Sequence, residues 1–590
     1  MRKQTKVVAV ASAAALLAIG ASMTSFAAAG WVEEDGVWYY YDSDGNIVED
    51  EWKKSGDNWY WLDSEEGGAM ATDKLIDDDG DYYYVDASGV MVKNTWVKVV
   101  NDEQDDDEDP AEYHYYYMQS SGKAYTAGNS ESTKFKTIDG KRYAFDDDGI
   151  MLYGWVTTDS SMQNDDDGWN TTDEMYYCGS WEDGAMKTGW QYLSVWDESE
   201  DDDMNYWFYF QSNGKRFQVN ENTTDNYRTK TINGKKYGFD ERGVMVYQWV
   251  VQTGTASASG SASASDWQYF SSPEDGARVT KGWFKVVPPN EDNTYDADFT
   301  DSDSFDITDA DDEDEHWYYA KEKGVLVTGQ IKKIKGKYYG FQPDDGRECA
   351  GSMLSGLVLI KVDSEGNITD VADDGIDTDE LSDLIDGVQK YDDWLEDGYK
   401  LYYFGSSSDE DTDGAMKTGS VTINLDGDSY SFYFSKSGGV EGKGAGATGV
   451  DDKKYIYKGG VRIKADSDDK YQAVKVTGEN GVDIGASGVT VTKIDSSDLR
   501  NKENTSLFNE TDSYTNSNGD TLRYVTTGGK GYYLVNSSGT IQKSKTAAKD
   551  GNDWYFYVYD SEIKMYTSEK KLTPKDDNYS GLDLTNWKNF

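Results

Sequence analysis

The chain has 590 residues and a formal charge of −54, from 111 acidic against 57 basic side chains. With 2 Cys and 2 His beside 60 Gly, it lacks the material for a disulfide scaffold, a four-cysteine zinc site or a histidine-based catalytic centre, and its charge opposes nucleic-acid binding. Aromatic residues make up 14%, too many for a disordered acidic chain, so a fold must bury the rings.

Residues 1–29 read as a secretory signal peptide. Arg2, Lys3 and Lys6 precede the apolar run Val7–Gly20, and Ala27, Ala28 and Ala29 offer a small-residue cleavage site before Gly30. No second long apolar run follows, and the tail from Leu582 to Phe590 carries no sorting motif, so a secreted, surface-held protein would attach non-covalently.

Repeats fill residues 30–419. Gly30–Gly45 places the aromatic run Trp38–Tyr41 between two Gly-containing turns, and the pattern returns at Trp52–Trp61 and at Leu75–Tyr84. Aromatic runs favour strands and Asp-Gly pairs favour tight hairpin turns, so each unit of about 20 residues is predicted to be a short hairpin. A lone hairpin is marginal in water, so the units must stack. The fold class expected is all-β: an elongated β-solenoid of stacked hairpin repeats with acidic loop insertions and one short helical insert. A larger repeat aligns Trp96–Trp155 on Trp190–Trp249 without a gap, and shorter copies read Thr231–Asp240 and Ile334–Phe341.

Acidic inserts at Asp105–Asp109, Asp201–Asp203 and Asp309–Glu315, and the low-complexity stretch Thr255–Ser265, lengthen hairpin loops. One helix is predicted from Asp377, with Glu380 completing a capping box, through Leu381, Leu384, Ile385, Val388, Tyr391, Trp394 and Leu395 to Gly398. Residues 420–590 read as degenerate β repeats and a C-terminal cap, with strands at Gly531–Gly539 and Trp554–Tyr559.

No metal or cofactor is expected. A twelve-residue calcium loop needs Gly sixth and Glu twelfth, whereas counting from Asp77 puts Gly80 fourth and Ser88 twelfth. Cys178 and Cys349 could pair or stay reduced. His114 and His316 flank Tyr-rich strands and read as structural, and no catalytic constellation is visible.

The units at Gly30–Ala71 resemble the cell-wall-binding repeats of choline-binding proteins of Gram-positive bacteria. Gly30-Trp31, Trp38-Tyr39-Tyr40, Gly45, Trp52, Trp59-Tyr60-Trp61 and Met70 carry the likeness, and Lys187–Trp190 and Lys281–Trp283 match the family's junction. The short units are similar to glucan-binding repeats and to the repetitive tails of clostridial toxins. The resemblance implies shallow aromatic sites between successive hairpins that hold choline or sugar. It places a first site among Trp31, Trp38, Tyr39, Trp59 and Tyr60, with Trp52 and Trp61 opening the next and Trp155, Trp190, Trp249 and Trp283 at later junctions. Leu75 departs from the junction Trp, and the short units lack it. The implied partner is a cell-wall polymer, most concretely choline-bearing teichoic acid, with a host surface partner as a further expectation for the acidic loops. Glucan or glycan binding is the alternative. A cell-wall hydrolase with a catalytic part in 420–590 is the third reading, and a non-enzyme the one preferred. The same rings could instead only fill the seams between hairpins.

Overall fold

An Asp-Gly pair between two aromatic or β-branched runs asks for two successive residues at positive φ, the turn whose twist matches a hairpin. The computed structural model has this turn wherever the repeat is regular. Asp35 and Gly36 sit at φ 51° and 85°, Asp79 and Gly80 at 53° and 82°, Asn233 and Gly234 at 49° and 84°. Each joins an antiparallel pair: Gly30–Glu34 with Val37–Tyr41, Lys74–Asp78 with Asp81–Val85, Arg228–Ile232 with Lys235–Phe239. The structure describes residues 29–102, 104, 111–128, 132–220, 223, 225–251, 264–289, 315–343, 349–405, 414–466, 469–500, 510–515, 521–526, 531–572 and 584–590. The signal segment to residue 28, the acidic run 105–109 and most of 255–265 and 309–315 lie outside these.

Two compact units divide after Val246. In the first, hairpins follow one another and are tied by a recurring main-chain link. After each hairpin the chain makes a Gly turn, and a residue beyond it donates its N–H to a carbonyl of the preceding hairpin. Met91 bonds Trp59 at 2.9 Å, Ala124 bonds Tyr82 at 2.7 Å, Met151 bonds Tyr115 at 2.8 Å, Met186 bonds Arg142 at 2.9 Å, Arg216 bonds Met175 at 2.7 Å and Met245 bonds Trp207 at 2.8 Å. The first two hairpins join through Tyr39 and Ala69. The second unit repeats the link from Met353 to Trp317, at 2.7 Å, and from Met416 to Tyr338, at 2.8 Å. Each such bond contributes only ~1 kcal/mol net, but it fixes the register of one hairpin on the next.

The turn after each hairpin explains part of the acidic excess. Asp42 Oδ1 accepts from the N–H groups of Asp44 and Asn46, and Asp86 from Ser88 and Val90. These carboxylates close turns on their own backbone.

The large repeat is not ungapped. Trp96 faces Tyr117, while Trp190 faces Tyr209, so the second copy is two residues shorter across its first hairpin before the match resumes. The helical insert also differs from its expectation. It is two helices, Thr378–Asp386 and Gln389–Glu396. The capping box forms as expected, with Asp377 accepting from Glu380 N–H at 2.9 Å and Glu380 accepting from Asp377 N–H at 3.0 Å. Gly387, at φ +80°, caps the first helix, and Val388 turns extended before the second. Gly with its free αL conformation stops a helix that apolar periodicity alone would continue. Leu381, Leu384 and Tyr391 are buried against Leu357, Leu401, Phe432 and Phe434. The two-stranded sheets run from Lys74 to Phe341, and from Leu357 onward sheets of three and five strands replace them, which is why the repeat blurs in the later part of the chain. Tyr532–Asn536 and Tyr555–Tyr559 are strands as expected. The fold is all-β, with hairpin sheets throughout the described residues and only short helices.

Candidate functional site

Directly opposed residues of an antiparallel pair share a face, so the residue across from each junction Trp is fixed by register. Trp31 faces Tyr40, Trp52 faces Trp61, Trp96 faces Tyr117, Trp190 faces Tyr209 and Trp283 faces Tyr319. The next hairpin then adds a third ring. Tyr60 reaches Trp31 with centroids 5.3 Å apart, Tyr83 reaches Trp52 at 5.1 Å, Tyr143 reaches Trp96 at 4.8 Å, Tyr237 reaches Trp190 at 4.8 Å and Tyr339 reaches Trp283 at 4.8 Å. Interplanar angles of 61° to 85° make each trio a corner of edge-to-face rings. In all five the Trp is half-buried and keeps part of its surface in solvent.

Two further junctions are closed. Trp155 is 7% exposed and Trp249 fully buried. Trp155 meets Tyr177, Phe208 and Phe210, and the Arg216 guanidinium lies 5.6 Å over its ring. Trp249 meets Tyr269, Phe284 and Tyr318 and donates its Nε1–H to the Val287 carbonyl at 2.9 Å. The rings of these two junctions fill seams.

The open corners already attract cations from the chain itself. Lys53 Nζ lies 5.1 Å over Tyr40, and Lys230 Nζ lies 5.4 Å over Tyr209. Burial pushes the phenols of Tyr83, Tyr117 and Tyr143 up, so these walls stay neutral and donate an electron-rich face. Trp52 is oriented by its Nε1–H, which donates to Asp78 at 3.1 Å. Trp31 Nε1 is buried with no hydrogen-bond partner among the described residues.

Of the residues expected at the first site, the structure brings Trp31 and Tyr60 together and adds Tyr40. Trp38 stands across from Glu33, two residues along the same face, and Tyr39 faces Val32. Trp59 faces Lys54, whose Nζ lies 5.9 Å over its ring. Trp52 and Trp61 do meet, at 5.3 Å. Leu75 faces Tyr84 in the place of a junction Trp, as read from the sequence. Sequence reasoning missed Tyr40, Tyr83, Trp96, Tyr117, Tyr143, Tyr209, Tyr237, Tyr319 and Tyr339 as wall residues. Their signal is positional: each Tyr either opposes a junction Trp in hairpin register or, in the next hairpin's second strand, stands one residue before the partner of the Trp position.

His114 and His316 lie in strands, and neither cysteine is in a disulfide. Cys349 Sγ lies 3.4 Å from His316 Nε2, and Cys178 is buried, with its thiol pushed up to about 12 by that burial. Among the described residues no helix is long and apolar enough to cross a membrane.

No protein-family model and no curated protein matches the chain. Solved structures do. Choline binding protein F from Streptococcus pneumoniae is similar at 17% identity over 72% of this chain and 99% of that one, with a TM-score of 0.30. The choline-binding domain of CbpL from Streptococcus pneumoniae is similar at 23% identity over 39% of this chain and 94% of that one, with a TM-score of 0.22. The modular autolysin LytC from Streptococcus pneumoniae, in complex with a synthetic peptidoglycan ligand, is similar at 16% identity over 57% of this chain and 56% of that one, with a TM-score of 0.27. The first two bear the family name that the repeat motifs suggested, and all three TM-scores lie below 0.5.

Proposed function

We propose that the protein is a secreted, surface-associated binding protein that attaches non-covalently to cell-wall polymer through its open aromatic junctions, with choline of teichoic acid as the ligand. The observation that carries this reading is the five half-exposed Trp-centred trios, each built from two successive hairpins. A quaternary ammonium has no N–H to donate and is held by ring faces, at ~1 kcal/mol per ring or more once desolvated. Lys53 and Lys230 over Tyr40 and Tyr209 mark those faces as attractive to a positive charge. One such corner is weak. Several on one chain gain by avidity on a polymer that repeats its ligand.

The reading assigns no catalytic step. It is tested by titrating the full chain with choline chloride and by washing cells that carry the protein with concentrated choline. Binding at several equivalent weak sites and release into the wash are the expected results. Retention through the wash, with no heat of binding, would remove choline as the ligand. Hydrolysis of purified peptidoglycan by the full chain would overturn the assignment as a non-enzyme.

A further inference from the structure

One hairpin is built differently from the rest. Gly189–Asp197 and Asp202–Phe210 keep nine register pairs, where the first hairpin and the one that follows keep five. Cross-strand register puts Trp190, Tyr192, Ser194 and Trp196 on one face with Tyr209, Trp207, Asn205 and Asp203. The base of that face is covered, since Tyr237 and Phe239 of the next hairpin meet Trp190. Beyond the base the shorter neighbour ends and the face is open. Tyr192 is 56% exposed, the largest exposure of an aromatic side chain among the described residues, while Ser194 and Asn205 are exposed and Trp196 and Trp207 half-buried. Tyr192 and Trp207 lie 4.8 Å apart at a tilt of 35°, a tilted stack that leaves Tyr192 as its exposed member rather than the steep corner of a junction. From Tyr192 to Trp196 the strand rises ~13 Å. The tip is acidic, with Glu198, Glu200, Asp201, Asp202 and Asp203 all exposed, while Arg242 pairs with Asp197 at 3.4 Å on the opposite face.

We propose that this face is a glycan-binding track for amino sugars that carry free ammonium groups. The axial C–H bonds of a pyranose ring meet the negative faces of Tyr192 and Trp196, with Trp207 stacked behind Tyr192 to hold it in place. Ser194 and Asn205, between the rings, take sugar hydroxyls. The carboxylates at the tip complement the ammonium groups and repel an anionic polymer, which selects a cationic sugar over a phosphate-bearing one. The track does not depend on the choline reading, because Tyr192 and Trp196 lie outside the trio of Trp190, Tyr209 and Tyr237.

The test titrates the full chain with a glucosamine hexamer, an N-acetylglucosamine hexamer and hexalysine, following tryptophan fluorescence at low and at high salt. The glucosamine hexamer is expected to bind, and Tyr192→Ala and Trp196→Ala each to weaken it about tenfold, while choline binding by the same variants is unchanged. Circular dichroism of the two variants confirms that the hairpin is intact. Equal binding of hexalysine with no effect of Tyr192→Ala would reduce the contact to charge alone and overturn the proposal. Equal binding of the acetylated hexamer would remove the cationic sugar. A dimer in sedimentation that Tyr192→Ala dissolves would give the face to a second copy of this chain instead.

Discussion

Arg216 occupies the position after its hairpin where other repeats carry Met91, Met151, Met245 or Met353, and it lays its guanidinium over the Trp155 indole. It donates from Nη1 to the Trp169 carbonyl at 2.7 Å, from Nη2 to Thr171 and Asp173, and from Nε to Gln218 at 2.9 Å. Burial lowers its pKa to about 10, which still leaves it charged at neutral pH. A cation of the chain therefore sits where an external one would have to bind, and it clamps the loop that covers the junction. Arg216→Met should leave these carbonyls unsatisfied and lower stability by about 3 kcal/mol, read as a fall in melting temperature. Choline binding at 25 °C should not change. A variant that melts like the parent would deny Arg216 the role of clamp.

The open and closed junctions should separate cleanly by substitution. Trp249 is fully buried, so Trp249→Ala should cost about 3–5 kcal/mol through the cavity left behind, with no loss of choline sites in the protein that stays folded. Trp52 is half-buried against Trp61 and Tyr83, so Trp52→Ala should cost less stability and remove choline binding at its own corner. Calorimetric titration beside thermal melts checks both. Loss of choline sites in Trp249→Ala, or none in Trp52→Ala, would show that exposure does not decide which corners work.

Hairpins, their Asp-Gly turns and the capping box at Asp377 were legible because each is a local code: a few residues whose own conformational preferences decide the outcome. The walls of the sites were legible only in part. Trp31 and Tyr60 meet because a main-chain register carries one hairpin onto the next, and that register depends on the link between Tyr39 and Ala69, which no residue pattern within a hairpin reveals. Trp38 looked equivalent to Tyr40, since both lie in one aromatic run, yet the pairing sets Tyr40 and not Trp38 across from Trp31. The break at Gly387 was hidden by apolar periodicity that continues on both sides of it. The closing of Trp155 was hidden because the plug is an arginine 61 positions away in sequence.

The Gly turns make a second use of their missing Cβ. Gly122 stands at φ +94°, and a Cβ there would lie 2.1 Å from Met91 Sδ and 3.0 Å from its Cγ. Gly214 meets Met186 and Gly414 meets Met353 in the same way, so methionine fills the seam under the next turn. Gly122→Ala should destabilise by about 2 kcal/mol, from backbone strain and the displaced thioether together. Adding Met91→Ala should recover the steric part only, since the strain at positive φ persists. A double-mutant cycle measures the coupling, and strict additivity of the two changes would show that the seam does not couple them.

Asp146 and Asp42 begin the same turn and titrate in opposite directions. Asp42 is held below the usual carboxylate range by N–H groups of its own turn, chiefly that of Asn46. Asp146 also accepts from a turn N–H, Ile150 at 2.7 Å, but burial pushes its carboxyl up to about 6, with Asp148 adding to the rise and His114 opposing it. The native pKa therefore lies above that of the unfolded chain. Between about pH 4 and pH 6 the native protein holds a proton that the unfolded chain has released, so this group favours folding at low pH and that contribution is lost as pH rises through 6. Asp146→Asn keeps the acceptor and removes the charge. It should raise stability at pH 7 by on the order of 2 kcal/mol, and the gain should shrink toward nothing near pH 4. Melting curves of parent and variant from pH 4 to 8 measure this, and a gain that does not depend on pH would place its origin in packing rather than in the buried charge.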